Sequence, residues 1–120
     1  MKTVVVGATP NPSRYAYLAA GMLKEYGYEF VPIGIKSGVI HGEAIIDLRK
    51  RPWIDNVDTI TLYIGARHQP EWYDYLISLK PRRIIFNPGT ENPEFESLLK
   101  QRGIEPEEAC TLVLLRTGQY

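Results

Sequence analysis

One cysteine, Cys110, and two histidines, His41 and His68, stand among 120 residues. A lone thiol closes no internal disulfide and fits a reducing compartment. Two separated imidazoles and one thiol are too few for the recurring ligand spacing of a metal site, so no metal is expected. Charge of one sign is missing as well. The 14 Lys and Arg balance 14 Asp and Glu, so the composition points to neither nucleic acid nor an anionic membrane as a partner. No apolar run reaches the length of a membrane span, and the apolar N-terminal stretch is only a few residues long, without a cleavage-type region. Repeats, linkers and low-complexity tracts are also lacking. What remains is the expectation of one cytoplasmic domain over residues 1–120, long enough to bury a core without covalent staples.

What is present begins with Thr3-Val4-Val5-Val6, a β-branched run too short for a helix, which breaks at Gly7 and leads into a helical pattern. That order reads as a buried strand, a tight turn and a helix start. In an open parallel sheet the first such turn is where a nucleotide's phosphates meet helix N–H groups. Asn11 is expected to cap the helix, with Pro12 at its first position, where a missing N–H costs nothing. Arg14 then falls in the first turn, where a cation is disfavoured unless an anion is near. The loop is not the dinucleotide fingerprint G-x-G-x-x-G, because Thr9 and Pro12 stand where the later glycines belong. A nucleotide held differently stays open.

Further along, Tyr15, Leu18, Ala19, Met22, Leu23 and Tyr26 recur at helical spacing and Gly27 ends the run. Glu29–Ile33 reads as a second strand, with Pro32 expected at its C-terminal end because it donates nothing to a ladder. Residues 34–42 read as loop, 43–47 as a short third strand, and 48–54 as a turn of helix with a solvated basic face at Arg49, Lys50 and Arg51. Asp58–Ile64 is the next strand. Gln69-Pro70 opens a helix through Leu79, its buried stripe formed by Trp72, Tyr73, Leu76 and Leu79. Arg83–Asn87 is a strand, Asn92-Pro93 repeats the cap-plus-proline device before Phe95, Leu98 and Leu99, and Ile104–Glu108 is a last strand. Cys110–Arg116 reads as a closing helix.

Strands alternating with helices imply right-handed crossovers and an α/β, three-layer, doubly wound Rossmann-like sheet, mostly parallel, of expected order 3-2-1-4-5-6. The crevice then lies between the first and fourth strands, at their carboxyl ends. Four loops converge there: residues 7–13, 34–37, 65–68 and 87–91.

The stretches Gly7-Ala8-Thr9-Pro10-Asn11-Pro12-Ser13-Arg14-Tyr15-Ala16-Tyr17 and Gly27-Tyr28-Glu29-Phe30-Val31-Pro32-Ile33, with Lys36 and Gly42-Glu43, carry a resemblance. Asp58–Tyr63 and Ile84-Ile85-Phe86-Asn87-Pro88-Gly89-Thr90-Glu91 extend it over nearly the whole chain. Together they resemble the small stand-alone CoA-binding domain proteins, which are similar to the N-terminal domain of the succinyl-CoA synthetase alpha subunit. The resemblance implies a Rossmann-type fold and coenzyme A or acyl-CoA as ligand. It implies phosphates at Gly7, Ala8, Thr9 and Arg14, Lys36 near the adenosine end, and a pantetheine path along Ile64-Gly65 and Asn87-Pro88-Gly89. Asn11, Ser13, Ile33 and Gly34 complete the candidate binding set. It brings no reaction, because the synthetase's phosphohistidine and its nucleotide-grasp partner belong to domains outside this pattern.

Read for chemistry alone, the residues offer no catalytic set. His68 falls at the cleft in a loop or capping role, His41 reads as a solvated loop residue, and Cys110 as a buried, inert thiol. Asp47, Asp55, Asp58 and Glu91 form no clear acid/base pair. Three functions stay open. The first is a CoA or acyl-CoA binding module acting as sensor, carrier or regulator. The second is an NAD(P)-dependent enzyme or redox sensor, although the loop after the second strand offers Lys36 and no carboxylate for a ribose 2′-OH. The third is an interaction protein with a vestigial cleft.

Overall fold

Alternation along the first strand sets the architecture. In the computed structural model, which describes residues 1–120, the strands are β1 (Lys2–Val6), β2 (Glu29–Gly34), β3 (Val39–Ile40), β4 (Glu43–Ala44), β5 (Ile46–Asp47), β6 (Val57–Leu62), β7 (Arg83–Phe86) and β8 (Glu105–Glu108). The helices are α1 (Tyr15–Glu25), α2 (Tyr73–Ser78), α3 (Pro93–Gln101) and α4 (Thr111–Arg116). Val4 and Val6 join one apolar cluster with residues of α2 and α3, and Val5 joins another with α1 and α4. Successive side chains of a strand point to opposite faces, so one strand anchors both layers.

Six strands form a wholly parallel sheet in the order β5-β2-β1-β6-β7-β8. Counted over all eight strands, this differs from the expected 3-2-1-4-5-6 by a separate antiparallel ribbon, β3–β4, inserted ahead of the edge strand. With the ribbon set aside, the crossovers run as expected. The ribbon turns through His41 (φ 47°) and Gly42 (φ 86°). Positive φ at both central residues is what a two-residue turn needs to match strand twist.

Several local expectations are corrected. Asn11 does not cap α1. Its side chain accepts from the Ser13 N–H (3.0 Å) and Ser13 Oγ (2.8 Å), closing a turn two residues long. Arg14 becomes the extended residue before the helix, which starts at Tyr15, so Pro12 is not its first position. The face that α1 buries is Ala16, Ala19, Ala20 and Leu23, while Tyr15 is 69% and Leu18 43% exposed. The three alanines let the helix approach the sheet closely, and Tyr15 and Leu18 are turned outward. Pro32 lies inside β2, two residues from its end. The Ile33 carbonyl accepts from Gly7 and Ala8 on the β1 side, so the neighbouring Pro32 nitrogen faces the other way, where β5 pairs only Ile33 and Gly34. The expected helix from Gln69 to Leu79 is a 3-10 turn, Pro70–Trp72, followed by α2, with Trp72 (φ −104°, ψ −4°) between them. His41 is half-buried: its ring lies 4.5 Å from the Tyr17 ring, and its Nε2 is 3.3 Å from the Tyr17 carbonyl oxygen. Cys110 is half-buried at the start of α4.

Asn92 caps α3 as expected, accepting from the Phe95 N–H at 3.1 Å with Pro93 behind it. Asn87 ties three elements together. Its amide donates to Thr61 Oγ1 (2.7 Å) and the Leu62 carbonyl (3.0 Å), and its oxygen accepts from the Thr111 N–H (2.9 Å) at the start of α4. Asn87→Ala should therefore lower stability by roughly 1–3 kcal/mol, the cost of stranding a buried polar group. Urea unfolding checks this: the midpoint should fall with the slope unchanged, and an unmoved midpoint contradicts the role.

Candidate functional site

The crossovers through α1 and α2 leave the adjacent strands β1 and β6 toward opposite faces, and a cleft of about 1000 Å³ opens where they part. Twelve of the fourteen sequence candidates line it: Gly7, Ala8, Thr9, Asn11, Ser13, Arg14, Gly34, Lys36, Ile64, Gly65, Pro88 and Gly89. The other two, Ile33 and Asn87, are buried beneath it and serve the sheet instead. Ile35 and Thr90 line it from the loops 34–37 and 87–91 expected at the crevice, whereas Tyr15, Ala16, Leu48, Tyr63, Glu71 and Trp72 are lining residues that the sequence pattern does not mark. By helical spacing Tyr15 falls in the buried stripe of α1, and Trp72 in that of the helix expected over 69–79. His68, expected at the cleft, is there in a 3-10 turn, Ala66–His68.

At the first turn Gly7 takes φ 98°, and a Cβ there would sit 3.1–3.2 Å from the backbone carbon, oxygen and Cβ of Tyr63. Both needs, the left-handed angle and the close approach, call for glycine. The Gly7 and Ala8 N–H groups are committed to the Ile33 carbonyl at 2.9 and 3.1 Å. The donors left for an anion lie further on. The Thr9 N–H has no acceptor in the chain, nor have those of Tyr15 and Ala16 in the first turn of α1. Arg14 and Ser13 stand beside them and line the same cleft. This end of the cleft gathers N–H groups, a hydroxyl, a guanidinium and the positive end of a helix dipole, and its chemistry is that of binding a phosphate.

The loop after β2 forms the next wall. A Cβ on Gly34 would lie 2.5 Å from the Ala8 carbonyl oxygen, so β2 and the first turn touch backbone to backbone. Exposed Ile35 and Lys36 follow directly and face the cleft.

On the opposite side Gly65 and Gly89 border the cleft with open space around them. Tyr63 lines it between the two halves, and burial pushes its phenol up to about 12. Trp72 carries Arg51 over its ring at 4.8 Å. Phosphate-binding groups gather at one end, and apart from Glu71 and the His68 imidazole the other end is aromatic or uncharged surface, which suits a long ligand charged mainly at one end.

A family model described as "CoA binding domain" matches residues 1–116. A crystal structure of an uncharacterized protein is 54% identical, covering 99% of this chain and 97% of that one, with a TM-score of 0.96. The fold recurs in a Thermus thermophilus protein (24% identity, 99% of this chain and 90% of that one, TM-score 0.85). It recurs again in a hypothetical protein from Pyrococcus horikoshii OT3 (20% identity, 95% and 81%, TM-score 0.77). No curated protein matches. No helix is long and apolar enough to cross a membrane.

The two kinds of glycine separate by substitution. Gly34→Ala should destabilise by roughly 1–3 kcal/mol, because the new methyl meets backbone that cannot move aside cheaply. Gly65→Ala enters open space and should stay within about 0.5 kcal/mol of the native protein. Thermal unfolding of the two variants side by side checks the contrast, and equal behaviour contradicts it.

Proposed function

The chain belongs to the CoA binding domain family, and on that premise we propose that its cleft holds coenzyme A or an acyl-CoA in a binding role, as carrier, sensor or regulatory module. The fourteen candidates enter this reading in two ways. Twelve form the lining, while Ile33 and Asn87 hold that lining from below. Arg14, with the Thr9, Tyr15 and Ala16 N–H groups, takes the phosphates. Lys36 takes the ribose phosphate, and the wall of Ile64, Gly65, Pro88 and Gly89 runs along the pantetheine arm. A cytoplasmic setting is part of the reading, in keeping with a single unpaired thiol.

The observation that carries it is the identity of the charged residue in the loop after β2. A nicotinamide site with a free ribose 2′-OH calls for a carboxylate there. Here Lys36 lines the cleft instead, and an ammonium attracts a ribose phosphate that a carboxylate would repel. NADP also carries a ribose phosphate, so it is the ligand to compare.

Calorimetry with coenzyme A, dephospho-CoA, NAD and NADP tests the reading. Native protein should bind coenzyme A in preference to the other three, and Lys36→Ala should erase its preference over dephospho-CoA. Equal binding of coenzyme A and dephospho-CoA by native protein, or preference for NADP, contradicts it. Arg14→Ala should weaken coenzyme A and dephospho-CoA alike by roughly 1.5–3 kcal/mol, the range for hydrogen bonds to charged groups. Unchanged affinity in the folded variant removes Arg14 from the phosphate site.

A further inference from the structure

We infer that Gln69, which does not line the cleft, is the positioning residue that lets it hold the neutral arm of its ligand as well as the nucleotide end; the inference rests on the coenzyme A reading above. Gln69 is fully buried, at 0% exposure, although its neighbours Arg67, His68 and Pro70 are exposed. Both of its N–H donors and its carbonyl oxygen bond to elements around the cleft. Its Nε2 donates to the Ile64 carbonyl and to the Thr90 carbonyl, both at 2.8 Å. Its Oε1 accepts from the Asn92 amide at 2.9 Å.

Those acceptors belong to the two loops that wall the far half of the cleft. Ile64 lies in the segment between β6 and the Ala66–His68 turn, and Thr90 lies in the segment between β7 and α3. β6 and β7 are hydrogen-bonded neighbours only up to Leu62 and Phe86. Beyond that register no strand ladder joins the loops, and Gln69 bridges them instead. A single planar amide with two donors fixes the distance between the two carbonyls. Asn92 then fixes the amide: its own oxygen caps α3 through the Phe95 N–H, and its nitrogen also donates to the Tyr73 hydroxyl at 2.8 Å. The spacing of the far wall is thus set by one buried side chain and referred to a helix cap.

The near half depends on other bonds, namely the Gly7 and Ala8 contacts with Ile33 and the Asn11 turn. Loss of Gln69 should therefore separate the two halves functionally. A ligand that occupies only the nucleotide end should be indifferent to Gln69, and a ligand that runs the length of the cleft should not. A generally destabilising role would weaken both together.

The experiment titrates the full chain with coenzyme A and with adenosine 3′,5′-bisphosphate, which carries the nucleotide end without the pantetheine arm. Gln69→Leu keeps the side-chain volume and removes the amide. It should weaken coenzyme A by about tenfold or more, as expected when buried carbonyls lose their donors and the wall relaxes, and leave the bisphosphate within about twofold. Asn92→Asp keeps the oxygen that caps α3 but removes the donor to Gln69, and should show the same split with a smaller loss. It carries the test by itself if Gln69→Leu does not fold. Parallel loss of both ligands, or undiminished coenzyme A affinity in the folded variants, overturns the role of Gln69 while leaving the cleft's ligand in place. Absence of coenzyme A binding by the native protein overturns the ligand reading, and this inference with it.

Discussion

The divergence of the chain on either side of β1 is the constraint from which the site follows. β1 and β6 lie side by side and are buried on both faces, yet α1 departs to one face and α2 to the other. No helix can cover the carboxyl ends of both strands, so a crevice is left open there whatever side chains line it. The sequence then decides what the crevice holds. A glycine turn with Arg14 and Ser13 occupies one side, and a loop with Lys36 flanks it. The far wall is uncharged apart from His68 and Glu71.

A second constraint acts inside the protein, where hydrogen-bonding groups at strand ends lose their ladder partners. Every buried side-chain nitrogen and oxygen has a hydrogen-bond partner. The partners at the carboxyl edge are single residues with several bonds each. Asn87 joins β6, β7 and α4, and Gln69 joins the loops after β6 and β7 to the cap of α3. Such bonds contribute modestly to net stability and cost more when one partner is removed. Their larger effect here is geometric, because they hold irregular backbone at fixed spacing around a cleft.

The legible part of this structure was whatever follows from local pattern. The β-branched run before Gly7, the Asn92-Pro93 start of α3 and the order of strands and helices all follow from chain chemistry within a few residues. The cleft was legible for the same reason, since loops at strand ends converge once the order is known. Apart from Asn11, whose competing partner Ser13 is two residues away, the misread parts depend on contacts made across the fold. Tyr15 and Leu18 keep helical spacing but face outward, because the sheet selects the alanine face of α1. Asn11 is a sound cap by type, yet it spends its oxygen on Ser13. Pro32 is tolerated inside β2 because its nitrogen faces a sparsely paired edge. His41 packs against Tyr17 and Gly21 only because the β3–β4 ribbon folds onto α1. Nothing near Gln69 in sequence marks it for burial, since its three partners lie at positions 64, 90 and 92.

In the proposed binding mode one ligand spans the carboxyl edge of the sheet from the turn at Gly7 to the loop at Gly89. Amide chemical-shift mapping during titration with coenzyme A tests it most directly. The account predicts saturable shifts at Thr9, Tyr15, Ala16, Lys36, Gly65 and Gly89, with the amides of β8 and of the His41–Gly42 turn unmoved. Shifts confined to another surface, or none with coenzyme A in large excess, would contradict it.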